Sequence, residues 1–191
     1  MGKPTDRELV EQARAGDAQA FGTLVQRHQR RIFRLAFHLV RAGAEAEDVT
    51  QETFVRAYQA LDRFDGRSEP FTWLYRIAVN LSLNVIRARK PRRDALPVDD
   101  PRVEPLLMEH RSDPARSAQD REMAKALCDG IDQLSDTLRT TLVLVCIDGM
   151  GHEEAAKVLD CPEGTVAWRV HEARRKLREH LEKHGFGGDA Q

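Results

Sequence analysis

The sequence predicts an all-α protein of two small helical domains joined by a flexible linker, with a helix-turn-helix in the second. Three observations carry this. Inward-facing residues recur at helical spacing over long stretches, as in Phe21, Leu24, Val25, His28, Ile32, Leu35, Ala36 and Leu39. No segment alternates with the two-residue period of a strand. Helical periodicity then lapses between Pro91 and about Ser117, where prolines fall at 91, 97, 101, 105 and 114, and it returns beyond.

Each element has a local reason. Thr5 to Glu8 forms a capping box that starts a first helix, and Gly16 ends it. Asp17 caps the second helix, which runs to Leu39 and is broken at Ala42-Gly43. A third helix spans about Glu45 to Leu61 with Val49, Thr53, Phe54, Ala57, Tyr58 and Leu61 inward. The stretch Asp62 to Glu69 reads as a loop. Pro70 sits where a first-turn proline is tolerated, opening a fourth helix driven by Phe71, Leu74, Ile77, Ala78, Leu81 and Val85. Beyond the linker, in which Leu106-Leu107-Met108 is the one apolar patch, Met123, Leu127, Ile131 and Leu134 mark a fifth helix. Ser135 caps a sixth, with Leu138, Leu142, Val145 and Cys146 inward and Gly149 as its stop. A short helix from His152 to Leu159, a turn at Asp160-Cys161-Pro162 and a basic helix from Gly164 complete the pattern. The domains are thus expected at 1–92 and 118–184, with a linker at 93–117 and a tail at 185–191.

Composition narrows the function classes. The chain has 191 residues, 41% hydrophobic and 6% aromatic, with a formal net charge of −1. Charge is unevenly placed, and local charge decides where phosphate sits. Arg87, Arg89, Lys90, Arg92 and Arg93 form one basic cluster and the last helix another, while acids gather at Glu45, Glu47 and Asp48 and at Asp99-Asp100. No apolar run approaches the roughly 18 residues of a bilayer span, and no signal peptide is expected. The three cysteines at 128, 146 and 161 fit neither a zinc pattern nor a complete disulfide framework. Cys128 and Cys146 are expected as small buried apolar residues. His152-Glu153-Glu154-Ala155-Ala156 begins like a zinc-protease motif but lacks the second histidine. No catalytic set, metal site or cofactor is expected.

Three segments carry candidate function. In the last helix, Val166, Val170, Ala173 and Leu177 form an inward stripe, which leaves Arg169, Arg174, Arg175, Lys176 and Arg178 for phosphates and base edges. Arg174, Arg175 and Lys176 are expected to contact mostly phosphate, with Arg169 near the groove. On the fourth helix Arg76, Asn80, Asn84 and Arg87 share one side. Asparagine can donate to and accept from base edges, and arginine can hold phosphate. The aromatic start of that helix, Phe71, Trp73 and Tyr75, suits either unpaired bases or the core. On the third helix Asp48, Gln51, Glu52 and Arg56 line one flank, as a solvated face or a docking surface for a partner protein.

Taken together, these residues resemble a bacterial extracytoplasmic-function (ECF) RNA polymerase sigma factor of the sigma-70 family. Asp48 to Tyr58 is similar to the polymerase-binding helix, Phe71 to Arg87 to the promoter-melting helix, and Gly164 to Leu177 to the recognition helix. The resemblance implies a promoter-specificity subunit without enzymatic activity of its own, monomeric when free, in the bacterial cytoplasm. It implies binding to core RNA polymerase, at the beta-prime clamp through Asp48, Gln51, Glu52 and Arg56, and at the beta flap. It implies recognition and melting of the minus-ten element by Phe64, Asp65, Gly66, Arg67, Ser68, Trp73, Arg76, Asn80, Asn84 and Arg87. It further implies reading of the minus-thirty-five element by Thr165, Ala167, Trp168, Arg169, His171, Glu172, Arg174, Arg175 and Lys176. Trp168 stands where such proteins usually carry a small residue, and Glu172 where arginine is frequent. Glutamate could accept from cytosine and tryptophan could meet a thymine methyl, or both could face away. An anti-sigma factor is the expected inhibitor, and a stress or envelope-signal regulon the expected target. A stand-alone helix-turn-helix regulator is the alternative.

Overall fold

The computed structural model describes residues 3–89 and 114–186. Most of the expected linker, including Leu106 to Met108, lies outside them, as do Lys90, Arg92, Arg93 and the end of the tail. Every regular element among the described residues is helical: α1 (Asp6–Arg14), α2 (Ala18–Val40), α3 (Gly43–Gln59), α4 (Pro70–Ala88), α5 (Pro114–Gln133), α6 (Asp136–Leu142), α7 (His152–Leu159) and α8 (Glu163–Lys183). A short 3-10 turn at Leu61–Arg63 follows α3, and a π-turn at Val143–Ile147 continues α6. None of these helices is long and apolar enough to cross a membrane.

The helix starts follow the cap chemistry. The Thr5 side chain accepts from the Glu8 amide while the Glu8 carboxylate accepts from the Thr5 amide at 2.7 Å. Asp17 Oδ1 accepts from the amides of Gln19 and Ala20 at 2.9 and 3.2 Å, which satisfies two donors that α2 leaves open. The end of α2 differs from expectation. Arg41, not Gly43, takes the left-handed conformation (φ 63°) that closes the helix, and Gly43 is already the first residue of α3.

The chain forms two compact units. One holds α1 to α4 together with Val143–Val166; the other holds α5, α6 and the rest of α8. The grouping follows space and not chain order. In the first unit, Leu24, Ile32, Leu35, Leu39, Leu74 and Tyr75 have almost no exposed surface. Ala36, Val40, Ala46, Val49 and Leu81 pack as one cluster, flanked by Phe33, Phe37, Ile77 and Val85. Burying an aliphatic side chain of this size contributes about 2 kcal/mol, so this cluster, and not helix propensity, holds α2, α3 and α4 together. Buried hydroxyls are satisfied within their own helices: Thr53 donates to the Val49 carbonyl at 2.7 Å and Ser82 to Ala78 at 2.8 Å. Arg89 was expected in a basic cluster. It is structural here, donating to the Val40 carbonyl at the end of α2 and pairing with Glu45.

In the second unit Leu134, Leu138, Leu142, Ala173 and Leu177 form the core, with Leu127 and Ile131 against it. Helix α5 begins at Pro114, a few residues before the expected start. Its Gly130 faces α8 closely. A Cβ there would lie 2.9 Å from His180 and 3.0 Å from Leu177, so a glycine sets how near the two helices come.

Two inward assignments change. Cys146 is exposed, whereas Cys128 is buried as expected. The π-turn is the reason. The Asp148 amide donates to the Val143 carbonyl at 2.9 Å, five residues back. One extra residue per turn rotates all that follows and carries Cys146 outward. Tyr58 is the other: it is 53% exposed, with only its ring edge against Phe21 at 5.1 Å.

Candidate nucleic-acid interface

Helix α4 buries Leu74, Ala78 and Leu81 and thereby turns Arg76, Asn80, Asn84 and Arg87 outward; all four are exposed. Among the described residues no side-chain hydrogen bond engages Asn80 or Asn84, so their amides are available to a ligand. Arg76 is occupied: its Nη2 donates to the Lys157 carbonyl at 2.6 Å.

The loop before α4 is ordered by short-range contacts. Asp65 Oδ1 accepts from the Arg67 amide at 3.0 Å, and its other oxygen lies 3.3 Å from the Arg67 guanidinium. Gly66 at the apex has φ +71°, which a side chain would strain. Arg7 and Glu69 pair at 2.7 Å and tie the loop's end to α1. Asp65 and Arg67 are exposed, and Gly66 and Ser68 half-buried. Phe64 is only 8% exposed and meets the half-buried Trp73 ring at 4.9 Å. These two rings therefore lie beneath the loop and fix its path, while the polar residues occupy its rim.

On α3, Asp48, Gln51 and Arg56 are exposed and Glu52 is half-buried, with Arg56 Nε 2.7 Å from the Glu52 carboxylate. Sequence reasoning missed Val55 (48% exposed) on the same side, and it turned Tyr58 the wrong way. The signal was present: Gln51, Val55 and Tyr58 recur at i, i+4 and i+7, one turn aside from the buried stripe. A shallow cleft lined by Gln29, Arg30, Phe33, Glu47, Thr50 and Gln51 adjoins it. This surface mixes charge with exposed apolar groups, as protein interfaces do.

The helix-turn-helix turns on Asp160, left-handed at φ 51°, which ends α7. Helix α8 then buries Val166, Val170, Ala173 and Leu177. Ala167, Trp168, His171, Arg174, Arg175 and Lys176 are exposed, and Thr165, Arg169 and Glu172 half-buried. Trp168 is 62% exposed, the most exposed large apolar side chain among the described residues. Glu172 does not face open solvent. It accepts from Arg175 at 2.7 and 2.9 Å and lies 3.7 Å from Lys176. Arg175 also bonds Glu179. Glu172 is held below its ordinary pKa, first by the Arg175 hydrogen bond, and Arg175 is raised by the same pair.

The comparisons with known proteins fit this arrangement. Residues 24–92 match the Sigma-70 region 2 family and residues 126–177 the Sigma-70 region 4 family. The chain is 37% identical to the ECF RNA polymerase sigma-E factors of Salmonella typhimurium and Escherichia coli, over 91% of this chain and 92% of theirs. It is also 37% identical to the RNA polymerase sigma-H factor of Pseudomonas aeruginosa, over 93% of this chain and 94% of that one. Among solved structures, CnrH in complex with the cytosolic domain of CnrY aligns with TM-score 0.69 and 30% identity, covering 93% of this chain and 97% of CnrH. The sigma factor RpoE of Bartonella quintana, bound to the anti-sigma factor NepR, shares the fold with TM-score 0.63 at 21% identity, covering 86% and 98%. With an exposed polar row on α4, a helix-turn-helix at the other end and relatives matching along nearly its whole length, the chain belongs to the ECF sigma factors of the sigma-70 family, which direct RNA polymerase to promoters.

Proposed function

We propose that residues 1–92 bind core polymerase and open the minus-ten element, that residues 118–184 read the minus-thirty-five element, and that 93–117 link them. The observation that carries this is the exposed row on α4, where two asparagines with no side-chain hydrogen bond among the described residues stand between arginines beside an ordered polar loop. In this reading Asp48, Gln51, Glu52 and Arg56, with Val55 and Tyr58 beside them, dock on the polymerase clamp. Asp65, Gly66, Arg67 and Ser68 form the rim of a base-capture loop, and Phe64 and Trp73 support it from below. In this reading an anti-sigma factor holds the protein inactive in the bacterial cytoplasm, and the complex of CnrH with the cytosolic domain of CnrY supports a protein partner of this kind by likeness. Run-off transcription from a genomic promoter library tests the reading. Transcripts should require both the protein and core polymerase, and the protein alone should bind the selected promoters weakly. Tight binding alone with no transcript would point to a stand-alone regulator.

The Glu172 pair adds a prediction. A basic residue engaged by carboxylates on its own helix must give them up to meet phosphate. Glu172→Gln removes one partner of Arg175 and the neighbour of Lys176. Non-specific binding to duplex DNA should tighten several-fold at low salt. The slope of log K against log salt should steepen by about 0.9 per phosphate gained. Fluorescence anisotropy across a salt series reads both. An unchanged slope would mean that no new phosphate contact forms and that Glu179 keeps Arg175.

A further inference from the structure

Asp148 is an unusual residue for the turn it occupies. It ends the π-turn after α6, and its side chain has no exposed surface. A carboxylate removed from water needs a cation and hydrogen-bond donors. Both come from the N-terminal helices. Arg34 of α2 places Nη2 at 2.6 Å and Nε at 3.0 Å from Asp148 Oδ1. Tyr75 of α4 is completely buried beside it, and its hydroxyl is pushed above its ordinary pKa by burial first and then by the Asp148 charge. Arg31 lies over the Phe71 and Tyr75 rings, 4.5 and 5.8 Å from their centroids, and adds positive charge to the same face. A second contact lies nearby: the Arg76 guanidinium donates to the Lys157 carbonyl in the last turn of α7, which α7 itself leaves open.

We propose that Arg34 and Tyr75 form a carboxylate receptor for Asp148, and that this contact is an autoinhibitory latch which holds residues 143–159 on α2 and α4 and withholds Arg76 from DNA. The inhibition half rests on the reading that Arg76 belongs to the DNA-facing row. The latch is built to open. Asp148 Oδ2 and the Tyr75 hydroxyl are buried without a hydrogen bond of ordinary geometry, so the burial of this charge is incompletely compensated. Arg34 is half exposed and can be resolvated at once. A partner that draws the two segments apart therefore works against a marginal contact, not a full core.

The test uses the full chain. Nitroxide labels at Arg30→Cys and Glu153→Cys, with Cys146→Ser and Cys161→Ser, report the distance from α2 to α7. The latched protein should give one short, narrow distribution. Asp148→Asn and Arg34→Gln should each lengthen and broaden it, and the charge swap Arg34→Asp with Asp148→Arg should restore it. If about nine-tenths of the free chain is latched, opening it should raise the affinity for a single-stranded minus-ten oligonucleotide about tenfold. Two variants on separate segments, each checked by circular dichroism, separate release of the latch from misfolding. An unchanged distance in both would overturn the latch, and a longer distance with unchanged affinity would overturn its inhibitory role. Adding Asn80→Ala and Asn84→Ala to the Asp148→Asn chain judges the reading of α4 independently. If oligonucleotide binding collapses there, that reading stands whatever becomes of the latch.

Discussion

Replacing Asn80 and Asn84 together by alanine is expected to leave core polymerase binding and folding intact while reducing open-complex formation on linear promoter DNA by roughly 30–100-fold. Both side chains are exposed on α4, so no buried contact is lost and helix propensity improves slightly. The effect falls on the DNA step. Taking a base out of the stack costs a few kcal/mol, which new contacts must offset. Each amide that meets a base edge is worth about 1–1.4 kcal/mol, so losing two removes about 2–2.7 kcal/mol, the fold-change given. Permanganate footprinting measures the opening directly. A template already melted over the minus-ten element should recover most of the activity, because the mutant fails at melting and not at polymerase binding. Normal opening of duplex promoters by the double mutant would reduce these residues to a solvated face.

The parts of this molecule that were legible in its sequence are those in which one local signal has one structural answer. The Thr5 and Asp17 caps, the proline at the start of α4 and the stripe Val166, Val170, Ala173, Leu177 translate directly, because capping and helical period act within a few residues. The outward row of α4 was legible for the same reason: once Leu74, Ala78 and Leu81 are inward, Asn80 and Asn84 have one side left. Other features depend on partners distant in sequence. Nothing near Phe64 says that it will be buried against Trp73, so an aromatic in a polar loop reads as exposed when only 8% of it is. The π-turn at Val143–Ile147 breaks the very period used to place Cys146. The occupancy of Arg175 was in principle readable, since Glu172 and Glu179 stand three and four residues away. A basic helix invites counting its cations before asking which carboxylates already hold them.

Arg139 has the largest expected effect on stability. Only 5% of it is exposed, and its guanidinium donates to three carbonyls: Ile131 at 3.2 Å, Asp132 at 2.8 Å and Leu134 at 2.9 Å. The first two belong to the last turn of α5, where the Ile131 carbonyl also accepts from the Leu134 amide at 3.2 Å. Arg139 of α6 is thus the C-terminal cap of α5, reaching back across the Leu134–Ser135 connection and fixing the angle at which α5 and α6 meet. Leu127, Ile131, Leu134 and Leu138 depend on that angle to pack against Ala173 and Leu177 of α8. Arg139→Met keeps the apolar stem but removes a charged donor from one buried and two part-buried acceptors, a loss of about 2–4 kcal/mol. Against a total stability of roughly 5–15 kcal/mol that is enough to loosen the second unit at growth temperature. Arg139→Lys should recover little, because a point-like ammonium cannot span three carbonyls as the planar fork does. Thermal denaturation should show a lowered transition for both variants. Transcription that depends on the minus-thirty-five element should fall with it, while binding to core polymerase through α3 persists. A wild-type melting temperature for Arg139→Met would show that solvent caps α5 equally well, and the second unit would then owe its geometry to its apolar core alone.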